Sequence, residues 1–182
     1  MCTKMIHISN LFGKMLKPEK IPDIVSHLEK NRIWVLFLPC WSILSEKHLQ
    51  YAILLALRDF KLHESRAKKI NIQLLLRFFG ENQISKVLKK ARIEKNEPVC
   101  LIIFSEKNVD VKEKLDTVVS LLKKTNLMAD LTDKFICKPD INRIMKLYGI
   151  TSDELHAVSR NKNEIGNLSK LIFERMALAF LK

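Results

Sequence analysis

Lysine and arginine are the residues here with the clearest capacity for chemistry, and they crowd into one stretch. Residues 58–95 hold eleven of them against four acids, a local charge of +7 out of +12 for the chain. Such a cluster binds phosphates by displacing counterions, with an affinity that falls as salt rises. Arg58, Lys61, Arg66, Lys68 and Lys69 form its densest part, and Lys86 extends it. These six are the candidate nucleic-acid contacts. Tyr51, Phe60, Phe78 and Phe79 lie close by and have faces on which unpaired bases can stack. Most of those aromatics also sit at apolar periodic positions, where a core role is expected. The competing reading of the cluster is a solvated face.

Other chemistries find little support. Gly80 stands alone in "FFGENQ", without the further glycines and the Lys-Ser/Thr of a phosphate loop. It reads as a turn glycine before a helix start at Asn82. The five histidines, His7, His27, His48, His63 and His156, form no metal pair at helical spacing. No two of Cys2, Cys40, Cys100 and Cys137 are close enough in sequence for a zinc site. Cys40 and Cys100 read as small buried hydrophobes. No nucleophile occupies an activated context, so a non-enzymatic protein without cofactor, metal or small-molecule substrate is expected. The start, "MCTKMIHISN", lacks the apolar core of a secretory signal, and no apolar run approaches a membrane span. A reducing, cytoplasmic setting is the expectation.

The elements that must carry these residues alternate along the chain. A first strand is expected at 1–9 and a helix at 22–30. "IWVLFLP", 33–39, is continuously apolar and reads as a buried strand. Ser45 caps a helix running to about Leu62, followed by a polar connection over 63–69. "INIQLLLRFF", 70–79, alternates at its start and reads as a strand, with Ile70, Ile72, Leu74, Leu76 and Phe78 on one side. A helix over 82–92 sets Ile84, Val87 and Leu88 against the fold and Lys86, Lys89 and Lys90 outside. A strand at 98–105, a helix at 110–124 and a short strand at 135–139 follow. Asp140 caps a helix that Gly149 ends, Thr151 and Glu154 match a capping box, and a long helix closes the chain from about Glu164 to Leu181. The fold class is α+β: one mixed domain over 1–182, with a central, mostly antiparallel sheet, flanking helices and a helical C-terminus.

The terminal helix, "LSKLIFERMALAFL", is apolar in nearly every direction. Such a helix is buried in its own domain or shared with a partner. Arg175 falls within the stripe of Leu168, Leu171, Ile172 and Ala179, where it needs a carboxylate or a partner's groups. Leu168, Leu171, Ile172, Arg175 and Met176 are the candidate partner-binding residues.

The ordered set "INIQLLLRFFGENQISKVLKKARI", "PVCLIIFS" and "LSKLIFERMALAFL" resembles the small accessory subunit of the KEOPS complex, the TPRKB-like family of PRPK-binding proteins, in its archaeal type. The positions that carry the likeness are Gly80, Gln83, Ile84, Ala91 and Ile93, the alanines Ala52 and Ala56, and the ending Ile172, Phe173, Glu174, Arg175, Met176, Ala177. It spans about residues 30–181. Arg92 departs from the pattern, since "Ala-Arg-Ile" replaces the usual Phe-Gly-Ile. The resemblance implies a non-catalytic subunit that binds the small atypical kinase of the complex. It also implies contact with tRNA, including the single-stranded 3′ CCA end, in support of threonylcarbamoylation of adenosine 37. A stand-alone basic RNA-binding regulatory domain is the alternative.

Overall fold

A computed structural model describes residues 6–106, 111–158 and 164–180. Contacts divide the chain into two compact units, 1–40 with 93–137 and 41–92 with 138–182.

The first unit is built on a four-stranded sheet. Its strands are β1 (Ile6–Met15), β2 (Ile33–Pro39), β3 (Pro98–Glu106) and β4 (Met128–Thr132), in the order β2-β3-β1-β4 and antiparallel throughout. Helices α1 (Ile21–Lys30) and α5 (Val111–Thr125) lie against it. One core joins Ile24 and Leu28 of α1, Val118 and Leu122 of α5, and the alternate strand residues Val35, Phe37, Val99, Leu101 and Ile103. The intervening residues Leu36, Leu38, Cys100, Ile102 and Phe104 are buried too. Burial on both faces is why these strands read as continuous apolar runs rather than alternating ones.

Two expectations for this unit need adjustment. The last strand is Met128–Thr132, and residues 135–139 form no strand. The β1–β4 pairing shifts register between Phe12 and Lys14, and a Cβ on Gly13 would lie 2.7 Å from the Ala129 carbonyl oxygen. Glycine is what lets β4 approach there. Of the first strand expected at 1–9, residues 1–5 lie outside the described residues, and β1 continues to Met15.

The second unit is helical: α2 (Glu46–Lys61), α3 (Ile70–Phe78), α4 (Ile84–Lys90), α6 (Ile141–Tyr148), α7 (Ser152–Ala157) and α8 (Glu164–Leu178). The Ser45 hydroxyl accepts from the His48 N–H, the Asp140 side chain caps α6, and Thr151 and Glu154 form the reciprocal box. The closing helix ends at Leu178, short of the expected Leu181, which itself lies outside the described residues.

The expected strand at 70–79 is a helix. Its alternating side was an accident of a leucine run, because Ile70, Leu74 and Phe78 also follow helical spacing. The polar residues settle the matter: Gln73 and Arg77, four apart and both buried, share one partner, Asp59. Gly80 follows as the left-handed residue of a helix C-terminus (φ +59). The Glu81 N–H bonds Leu76 O and the Gly80 N–H bonds Arg77 O, the paired bonds that close a helix end. Helix α4 begins at Ile84 and has Gln83, not Asn82, at its N-cap, with no side-chain cap bond.

Candidate nucleic-acid and partner surfaces

The basic stretch is organised from beneath by a buried polar network. Arg77 Nε and Nη2 donate to the two carboxylate oxygens of Asp59, each at 2.6 Å. Gln73 Nε2 also donates to Asp59. The Gln73 oxygen accepts the backbone N–H of Arg66 and of Ala67, at 3.1 and 3.2 Å. It thereby fixes the turn on which Arg66 stands. Arg77 Nη1 reaches the carbonyls of Met176 and Ala177, so a cation closes the last turn of α8. Every nitrogen and oxygen of the Asp59, Gln73 and Arg77 side chains has a partner here, which is the condition under which a buried ion pair is tolerated.

Above this network lies a cavity of about 450 Å³ lined by Tyr51, Leu55, Arg58, Glu64, Arg66, Arg77, Ala177 and Phe180. Arg66 Nη2 donates to the Phe180 carbonyl at 2.9 Å. The guanidinium carbons of Arg77 and Arg66 stand 3.9 and 4.8 Å from the Phe180 ring centre. Tyr51 rests against Phe173, 4.7 Å between ring centres. Arg58 is exposed and unpaired among the described residues. Arginine forks beside aromatic faces suit phosphate contact and base stacking together.

The structure therefore brings Arg58 and Arg66 into one cavity. Lys61, Lys68 and Lys69 are exposed on the same stretch but do not line it. Lys86 stands in a different cleft. Phe78 and Phe79 are buried and cannot stack on a ligand. Phe180 was missed from the sequence; its signal was an aromatic just past the last turn of the terminal helix.

The candidate partner residues are placed differently from the sequence expectation. Leu168, Leu171, Ile172 and Met176 are all buried. They hold α8 in its own unit. Arg175 finds its carboxylate within the chain, in Glu154. The backbone N–H of Thr151, and secondarily Arg175, hold the Glu154 carboxyl below its ordinary range. Apolar surface appears on α4 instead, as a correction to its expected orientation. Only Val87 is buried there, while Ile84 and Leu88 are 44% and 53% exposed. Lys90, expected outside, is half-buried and tied to Glu81 and the Leu147 carbonyl.

His48 completes the support of this unit. Its Nδ1 accepts the Leu44 N–H at 3.2 Å, which leaves the proton on Nε2. That N–H faces the Tyr148 hydroxyl at 2.9 Å, and the hydroxyl in turn donates to the Phe78 carbonyl. Burial pushes His48 down to about pKa 3. A group held neutral in this way, inside the fold, is a structural link and not an acid–base catalyst. Among the described residues no group of three His, Cys, Asp or Glu is placed to hold a metal ion, and no helix is long and apolar enough to cross a membrane.

The profile of one family, kinase binding protein CGI-121, matches residues 19–179. This chain belongs to that family. The match spans both units, from just before α1 to the residue before Phe180. The family's description is of kinase binding and not of catalysis. No curated protein matches the chain.

Proposed function

We propose that this CGI-121 family member is a non-catalytic KEOPS subunit that holds the kinase subunit and tRNA together in the cytoplasm, in support of threonylcarbamoylation of tRNA adenosine 37. The observation that carries the tRNA half is the cavity where Arg58, Arg66 and Arg77 meet Tyr51 and Phe180. Arg58 and Arg66 fix the strand through its phosphates over the buried Arg77–Asp59 pair, and the aromatic faces receive unpaired bases such as those of the 3′ CCA end. Lys61, Lys68 and Lys69 extend the same charge outward. The role is positioning, and no group in the cavity is asked to react.

Kinase binding is the family's described property. With Leu168, Leu171, Ile172 and Met176 buried, docking falls to exposed apolar residues of the helical unit. We assign it to Ile84 and Leu88, 44% and 53% exposed and one turn apart on α4. The test combines both halves. Ile84→Glu with Leu88→Glu abolishes co-elution with the kinase and leaves tRNA binding intact. Arg58→Glu with Lys61→Glu weakens tRNA binding and leaves co-elution intact. Loss of neither binding in its own variant would refute the assignment.

A further inference from the structure

We propose that the cleft formed by the Gly80 turn, α4 and the ends of α6 and α8 is a phosphate-binding site separate from the arginine cavity. It measures about 680 Å³, within the ordinary size range of ligand sites. Four cations line it, Lys86, Lys90, Lys146 and Arg175, against one carboxylate, Glu81.

Two of the cations are fixed. Lys90 Nζ donates to Glu81 Oε1 at 2.8 Å and to the Leu147 carbonyl at 3.2 Å, and Arg175 is held by Glu154. These pairs consume the nearby acids. Lys86 and Lys146 are exposed and meet no acid among the described residues, so their charge is left for a ligand.

The cleft owes its shape to two glycines. Gly80 and Gly149 both have left-handed backbone (φ +59 and +62) and close α3 and α6. A Cβ on Gly80 would lie 3.4 Å from the Arg175 carbonyl oxygen, an ordinary contact, so the left-handed turn and not crowding by α8 is what calls for glycine there.

The lining also decides between phosphate and base. Lysine ammoniums are point charges suited to phosphate oxygens. The two aromatics of the lining, Phe79 and Tyr148, are buried and present no free face for stacking. The arginine cavity has the opposite character, with Tyr51 and Phe180 at hand. The volume admits more than one phosphate group, as in a polyphosphate chain or successive phosphodiesters. The assignment does not depend on the tRNA reading above.

Calorimetric titration of the full chain with inorganic tripolyphosphate, and separately with a single-stranded RNA oligonucleotide, tests it. The variants are Lys86→Ala/Lys146→Ala and Arg58→Ala. The expected result is that tripolyphosphate binds the parent protein and Arg58→Ala alike and binds the double lysine variant at least tenfold more weakly, with an unchanged melting temperature. If RNA affinity falls in the double variant too, the phosphates are those of a nucleic-acid strand. If only tripolyphosphate affinity falls, the ligand is a free polyphosphate or nucleotide. Equal binding by the parent and the double variant, or no binding of either probe, overturns the site. Failure of the tRNA reading would show in Arg58→Ala with RNA and not in this comparison.

Discussion

Helices α3 and α4 are neighbours in sequence and opposites in use. Of the nine residues of α3 eight are buried, three of them polar: Asn71, Gln73 and Arg77. Of the seven residues of α4 one is buried, although Ile84 and Leu88 are as apolar as anything in α3. Hydrophobicity alone does not say which surface a protein keeps and which it offers. In α3 a matched carboxylate lets an arginine go inside. In α4 the isoleucine and leucine stay about half exposed, with lysines beside them.

The comparison predicts a sharp difference in tolerance. Asp59→Ala leaves Arg77 buried without its counter-charge and should cost about 3–5 kcal/mol in urea unfolding. Asp59→Leu combined with Arg77→Met should recover much of that loss. If Asp59→Ala costs less than about 1 kcal/mol, α3 is not held by this pair.

Acid should release the same region next. His48 is neutral and buried, with a pKa lowered from 6.5 to about 3. Its contribution is full above pH 6.5 and is lost as pH falls toward 3, because the unfolded chain takes up the proton first. The expected slope is about 1.4 kcal/mol per pH unit in that window, and it should flatten in His48→Gln. An unchanged slope in the variant would assign the acid sensitivity elsewhere.

On α4, Ile84→Glu and Leu88→Glu should change stability by less than about 1 kcal/mol, since exposed sites tolerate charge. Kinase co-elution should be lost all the same. The smallest effect expected is a gain. His63 ends α2 with left-handed backbone (φ 59). The Glu64 N–H bonds Asp59 O there, as at a glycine-closed helix end. His63→Gly should add a few tenths to about 1 kcal/mol by relieving that conformation.

Much of this frame was legible in the sequence. The strands expected at 33–39 and 98–105 showed as strongly apolar runs and are found at Ile33–Pro39 and Pro98–Glu106, and Ser45, Asp140, Thr151 and Gly149 marked helix ends where they fall. What escaped was long-range. Whether 70–78 alternates or coils depends on Asp59, eleven residues upstream of Ile70, reaching Gln73 and Arg77 together. Arg175 looked like a cation in search of a partner's acid because nothing local revealed that Glu154 would serve two purposes. Its carboxylate accepts the Thr151 N–H and also holds Arg175. The terminal helix likewise looked like spare apolar surface, since its helical pattern cannot show how many neighbours surround it. For the candidate site, the density of cations was visible over 58–69, but the division into two clefts, one with Arg58 and Arg66 and the other with Lys86, was not.

The central claim is that the arginine cavity receives an unpaired tRNA end. Affinities of whole tRNA and of tRNA trimmed of its CCA end, measured at one salt concentration on the parent protein and on Tyr51→Ala/Arg58→Ala, address it directly. The account predicts that whole tRNA binds the parent more tightly, by the roughly 1–3 kcal/mol that stacking of one base contributes. It also predicts that the advantage disappears in the double variant. Equal affinity of the parent for whole and trimmed tRNA would contradict it.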